Sequence, residues 1–256
     1  MFCATINNRF KYKIAGGVAL RENICTIPIN DVFAPKCGCP MCRMEAMLEK
    51  NYVEYITGAA MMEPDIRTDT NNLGFCYNHF NMMVHHGKRL PNALILDTHL
   101  DKIMTELIPE DVKGKPDKKK LAKLDEIQHS CYVCNKMAWG MQHLMETIFK
   151  TWEKEEEFRK LYSEQPFICM KHYTMLMKAA MNKGISSKAL PDFYKVTSKL
   201  TGGYLKNLKA DVAHFCTMFD YRANGQEWGT SRDSIERSVE FLTSKKVSEK
   251  SPFEAD

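Results

Sequence analysis

Eight side chains stand out by type and spacing. Cys39-x-x-Cys42 is followed by Cys76-x-x-His79, and Cys131-x-x-Cys134 is followed by Cys169-x-x-His172. The second pattern repeats the first at an offset of 92 positions (39 to 131) and then 93 (76 to 169), which reads as an internal duplication. Each copy holds three cysteines and one histidine, a full tetrahedral set for zinc. Residues i and i+3 share a helix face, so each pair can reach one ion. A helix N-terminus favours negative charge and helps such cysteines ionise to the thiolates that metals bind.

Structural zinc in two closed Cys3His sites is the leading reading, because four protein ligands leave no open position for a substrate. Three thiolates and an imidazole also suit an iron–sulfur cluster, which is kept as the alternative. A dithiol redox role lacks the strand–helix setting of a thioredoxin-like motif. Unmetallated buried thiols explain one cysteine well and eight matched positions badly. Haem attachment is excluded, since Arg43 and Asn135 follow the two Cys-x-x-Cys pairs. The spacing leaves the pairing open: within each copy, exchanged between copies, or one shared polynuclear site. A helix from Pro40 to Met62 carries the chain about 33 Å from its start. The thirteen residues before Cys76 return it only if nearly extended.

The remaining cysteines are Cys3, Cys25, Cys37 and Cys216; Cys37 is close enough to Cys39 to be an alternative ligand, and the others read as inert buried thiols. His85-His86 suits a helix C-terminus, while His99, His129, His143 and His214 are isolated. No serine–histidine–aspartate order, phosphate-binding glycine loop or di-iron carboxylate pattern accompanies them, so the reading leans away from an enzyme.

The elements that must hold these residues are helical. Met44, Leu48, Tyr52, Tyr55, Ile56 and Ala59 mark one face of a first helix; Val133, Met137, Met141, Leu144, Met145, Ile148 and Trp152 mark its counterpart. Asp65 to Asn72 reads as a loop with room for one helical turn, and Ile27-Pro28-Ile29 as extended, because a residue before proline avoids the helical region. Leu90-Pro91 and Leu190-Pro191 open matching helices, and Gly202-Gly203 is a candidate break in the second. Ile235, Val239 and Leu242 predict a short amphipathic helix packed back on the body. The expected architecture is all-α: an irregular segment (1–36), a first repeat (37–108), a charged linker (109–128), a second repeat (129–221), and a C-terminal helix and tail (222–256).

The 256 residues are 44% hydrophobic, enough for a core without help from metal. Seventeen methionines read as core filler. A net charge of +4 gives no concentrated basic signal, so nucleic acid is disfavoured even for Lys118-Lys119-Lys120. No secretory leader or membrane-length apolar run is visible, which predicts a cytoplasmic protein with no membrane association. The partner expected is another protein.

The chain resembles an uncharacterised bacterial family, a domain of unknown function met largely in anaerobes. The resemblance rests on Ile27-Pro28-Ile29-Asn30, Cys39-Pro40-Met41-Cys42 and Gly74-Phe75-Cys76-Tyr77-Asn78-His79. It extends to the second Cys-x-x-Cys and to Phe167-Ile168-Cys169-Met170-Lys171-His172. It continues in the ending Phe219-Asp220-Tyr221-Arg222, Trp228-Gly229-x-Ser231 and Arg237, and covers about residues 26–246. Gln165-Pro166 stands where a glycine is expected before the second Cys-x-x-His, so a different turn is expected there. The resemblance implies the organisation and no activity.

Overall fold

The computed structural model describes residues 27–108, 110–111, 114–223 and 225–248, and among them every regular element is helical. The expectations for residues 1–26 and for the tail beyond 248 lie outside the described residues. The chain divides into two compact units: unit one takes 1–44 and 144–256, and unit two takes 45–143. The units therefore do not follow the sequence repeats. The division falls inside the two longest motif-bearing helices, α2 (Pro40–Ile56) and α7 (Tyr132–Lys154).

The first described helix of unit one is α1 (Ile27–Phe33), where an extended segment was expected. Proline is tolerated in a first helical turn because its missing N–H has no intrahelical acceptor there. Phe33, at the end of α1, meets Phe158 (5.3 Å) and Tyr162 (5.6 Å) of α8 (Glu156–Ser163). Trp152 and Phe193 close the cluster around Tyr162 at 5.2 and 5.4 Å. Aromatic contacts of this kind, edge-to-face for Phe33–Phe158 and Trp152–Tyr162 and stacked for Phe33–Tyr162, add to the burial term itself. Phe193 belongs to α10 (Leu190–Thr217), which runs unbroken through Gly202-Gly203, against the expected break. Before it, α9 (Met170–Ala179) passes into a π-helical turn (Ala180–Gly184). A Cβ on Gly184 would lie 2.5 Å from the Ala179 carbonyl oxygen and 2.8 Å from the Phe149 ring, so only glycine fits.

The last helix of unit one, α11 (Ser234–Thr243), is where predicted, but its face is not. Ile235, Val239 and Leu242 are exposed, and Phe241 is buried against Phe167 and Tyr204. Arg237 fastens α11 to α10: its guanidinium donates to Asp211 (2.9 Å), to Asp233 (2.8 Å) and to the Thr230 carbonyl.

Unit two holds the rest of α2, a 3-10 turn (Ala59–Met62), α3 (Pro64–Leu73), α4 (Tyr77–His85), α5 (Arg89–Lys102) and α6 (Lys118–His129), with the first half of α7. The expected loop at 65–72 is instead α3, started by Pro64 at its first position and Asp65 in its first turn. The expected linker is helical from Lys118. Val53, Ile56, Met61, Phe75, Met83, Ile95, Tyr132 and Val133 form the core. Within this unit α7 approaches α2 closely at Gly140, where a Cβ would sit 3.0 Å from the Tyr52 hydroxyl.

Candidate metal centres

All eight predicted ligand atoms converge, and they do so across the copies. Cys39, Cys42, Cys169 and His172 form one quartet, and Cys76, His79, Cys131 and Cys134 the other; within each, all ligand atoms lie within 4.8 Å of one another. The first lies in unit one and the second in unit two. Helix length accounts for the exchange. The 17 residues of α2 rise about 25 Å, and the 23 of α7 about 34 Å. Each long helix starts at a quartet in one unit and delivers the chain to the other unit, where the next Cys-x-x-His lies. The converged quartets themselves decide the pairing, which the spacing left open.

The two Cys-x-x-His motifs are built alike. Cys76 and Cys169 cap α4 and α9 with nearly identical extended backbones (φ −71°, ψ 162° and φ −70°, ψ 163°). The histidine falls one turn later, and in both quartets its Nδ1 faces the sulfurs. In unit one Nδ1 of His172 is 3.1 Å from Cys169 Sγ, 3.4 Å from Cys42 Sγ and 3.8 Å from Cys39 Sγ. Cys42 and Cys169 sulfurs are 3.6 Å apart. In unit two Nδ1 of His79 is 3.1 Å from Cys76, 3.2 Å from Cys131 and 3.5 Å from Cys134. A tetrahedron around zinc has edges of about 3.8 Å between sulfurs and about 3.6 Å from sulfur to imidazole nitrogen. Both clusters could hold a metal ion with little adjustment.

The surroundings differ. In unit two the Tyr132 amide donates to the Gly74 carbonyl (2.9 Å) and the Ser130 hydroxyl to the Leu73 carbonyl (2.6 Å), tying the two motif approaches together. The counterpart of Tyr132 in the other copy is Pro40, which has no N–H, so unit one cannot make this clamp. It uses side chains instead. Gln165 donates to the Phe33 carbonyl (2.8 Å), and Arg43 donates to the Val32 carbonyl (2.8 Å) and reaches Gln165 Oε1 at 3.4 Å. The turn before Cys169 is indeed different: Gly74 has φ +59°, and no residue from Gln165 to Ile168 has a positive φ. Two further contacts were not readable from sequence. Glu49 lies 3.1 Å from Nε2 of His79, orienting the ring so that Nδ1 faces the sulfurs. Ser244, at φ +63° just past α11, places its hydroxyl 3.0 Å from Cys169 Sγ. Glycine is usual at such a cap, but glycine has no hydroxyl to offer.

Each quartet concentrates charge. Burial would raise the Cys131 thiol, but bonds from His79 and from the Cys134 and Cys76 backbone hold it down at about 6. Partial desolvation and the neighbouring sulfurs push Cys134 up to about 12. Burial pulls His79 down, yet its bonds to Cys131 and Glu49 outweigh this and hold it at about 10. In unit one the contacts with Cys39 and Cys42, then His172 and Ser244, hold Cys169 far below the ordinary thiol range. The Cys169 and Cys39 contacts push Cys42 far above it. A sulfur already close to its thiolate form is the form a metal takes.

Cys37 is not an alternative ligand, because it is disulfide-bonded. Cys216 is a free thiol but exposed, not buried. No helix is long and apolar enough to cross a membrane among the described residues. No curated protein and no solved structure matches the chain. A family model does match, over residues 20–249, and with these motifs inside that span the chain belongs to the family of unknown function DUF6062.

Proposed function

We propose that the chain is a zinc protein with two closed Cys3His centres, acting in the cytoplasm as a binding module for a protein partner rather than as an enzyme. The observation that carries the metal reading is the convergence of each quartet within 4.8 Å, with edges close to those of a zinc tetrahedron. The Glu49–His79 contact supports it, since a metal-bound imidazole is commonly oriented by a carboxylate on its other nitrogen. The span of each quartet suits one ion better than a polynuclear cluster, which favours zinc over the iron–sulfur alternative. Both ligand sets are complete from the chain itself, which supports a structural role. For the partner, the exposed stripe Ile235, Val239 and Leu242 recurs at i, i+4 and i+7, the pattern by which a helix docks into an apolar groove of a protein partner.

Elemental analysis of protein purified without air tests the metal. Two zinc ions per chain and no visible absorbance are expected. Stoichiometric iron with a reducible chromophore overturns zinc and returns the redox reading. For the partner surface, Val239→Glu is expected to abolish recovery of the bound protein from native cells with metal content unchanged; undiminished recovery removes α11 as that surface.

A further inference from the structure

The two quartets differ in what can reach them. In unit one Cys39, Cys169 and His172 are buried and Cys42 is half-buried; in unit two Cys134 is exposed and Cys76 half-buried. Cys76 and Cys134 sulfurs stand 4.0 Å apart on segments 58 residues apart in the chain. We propose that the unit-two centre is an oxidant-responsive modification site, at which a hydroperoxide converts Cys76 and Cys134 to a disulfide and releases the ion while unit one keeps its own. This inference rests on the metal reading above.

The chemistry balances with hydrogen peroxide as oxidant. The Cys134 thiolate attacks one peroxide oxygen and the O–O bond breaks, giving a sulfenic acid and a hydroxide that takes one proton to become water. The Cys76 thiolate then attacks the sulfenic sulfur, forming the S–S bond and expelling a second hydroxide, protonated to water. Two thiolates lose two electrons, one peroxide gains them, and two protons are consumed. The ion, left with His79 and Cys131, passes to solvent. Peroxide must reach a sulfur to begin, and Cys134 is the one ligand of the eight that is exposed. The sulfurs need to close from 4.0 Å to about 2.05 Å.

The choice of pair has a structural consequence. Cys76 precedes α4 and Cys134 lies in the first turn of α7, so their disulfide joins the same two segments as the metal did. The Tyr132–Gly74 and Ser130–Leu73 bonds also join them and do not involve the metal. Unit two can thus release its ion without losing its cross-link. A disulfide within Cys131-x-x-Cys134 would lose it.

The test uses the full chain carrying two ions, confirmed by elemental analysis before oxidant is added, with a chromogenic zinc chelator and hydrogen peroxide. One equivalent is expected to leave at least about tenfold faster than the second, because an accessible thiolate reacts selectively. Peptide mapping is expected to find Cys76 joined to Cys134, and thiol reductant with zinc to restore the second ion. Release of both ions at one rate, first modification at Cys39, Cys42 or Cys169, or a Cys131–Cys134 disulfide overturns the inference and leaves the metal reading standing. A chain that holds no metal before oxidation overturns the metal reading, and the inference with it.

Discussion

Glu49 gives the unit-two imidazole its direction, and its absence should be felt there alone. Replacing it with alanine is expected to lower metal affinity at that centre about 10–100-fold by chelator competition, with the unit-one centre unchanged. The position that matches Glu49 in the second copy is Met141, so the duplication did not keep this support in both halves. Gly74 makes a second test at this scale. Its φ is +59°, and a Cβ would come within 3.2 Å of the His99 imidazole. Gly74→Ala should cost about 1–3 kcal/mol by denaturant unfolding, because the strained backbone and the close ring act together. The two Cys-x-x-Cys and two Cys-x-x-His pairs that converge were legible in the sequence, since i and i+3 pairing is a local property of a helix start. Glu49 and Ser244 were not: each acts across tens of residues, and nothing in its own neighbourhood marks it.

Among the elements, the long stripes were legible because periodicity follows directly from burial. Met141, Met145, Ile148 and Trp152 of α7 are all buried, as their spacing predicts. Short elements were misread where two local rules competed. The pre-proline rule suggested an extended segment at Ile27, but Pro28 sits in the first turn of α1, where its missing N–H costs nothing. For α11 the apolar spacing was right and the buried face wrong. An ion pair and one aromatic ring orient this helix, and neither enters a periodicity argument. The Asp211–Arg237 latch can be tested directly. Burial alone would raise the Asp211 carboxyl, but the Arg237 and Thr230 bonds hold it below its ordinary range. A carboxyl depressed in the folded state contributes stability above its unfolded pKa and loses it as pH falls through the folded value. Asp211→Asn should therefore destabilise unit one by about 1 kcal/mol at neutral pH. The gap from the unaltered chain should close in acid below the usual carboxylate range, as followed by thermal unfolding across pH.

At the scale of the molecule, the exchanged pairing would make each quartet, with a metal ion in it, a long-range cross-link. The Cys42–Cys169 link spans 127 residues, and the Cys76–Cys134 link spans 58. Loop closure makes the longer link restrain the unfolded chain more, by about 0.7 kcal/mol. Stripping both ions is expected to lower the thermal midpoint, and Cys42→Ser to lower it more than Cys134→Ser, read by calorimetry of the metal-loaded proteins. The spacing left this exchange open. The fold decides it, by bringing Cys39 and Cys42 to Cys169 and His172, and Cys76 and His79 to Cys131 and Cys134.

The same exchange sets an order of events during synthesis. Cys39 and Cys42 emerge from the ribosome early, and the first Cys-x-x-His to follow them is the wrong mate. Their true mate His172 lies 130 residues beyond Cys42, so at bacterial and eukaryotic elongation rates it arrives roughly 7–26 s later. The unit-two quartet is complete as soon as Cys134 appears, well before that. The inner quartet is thus complete first, and Cys39 and Cys42, the earliest of the eight to be made, wait longest for their mates.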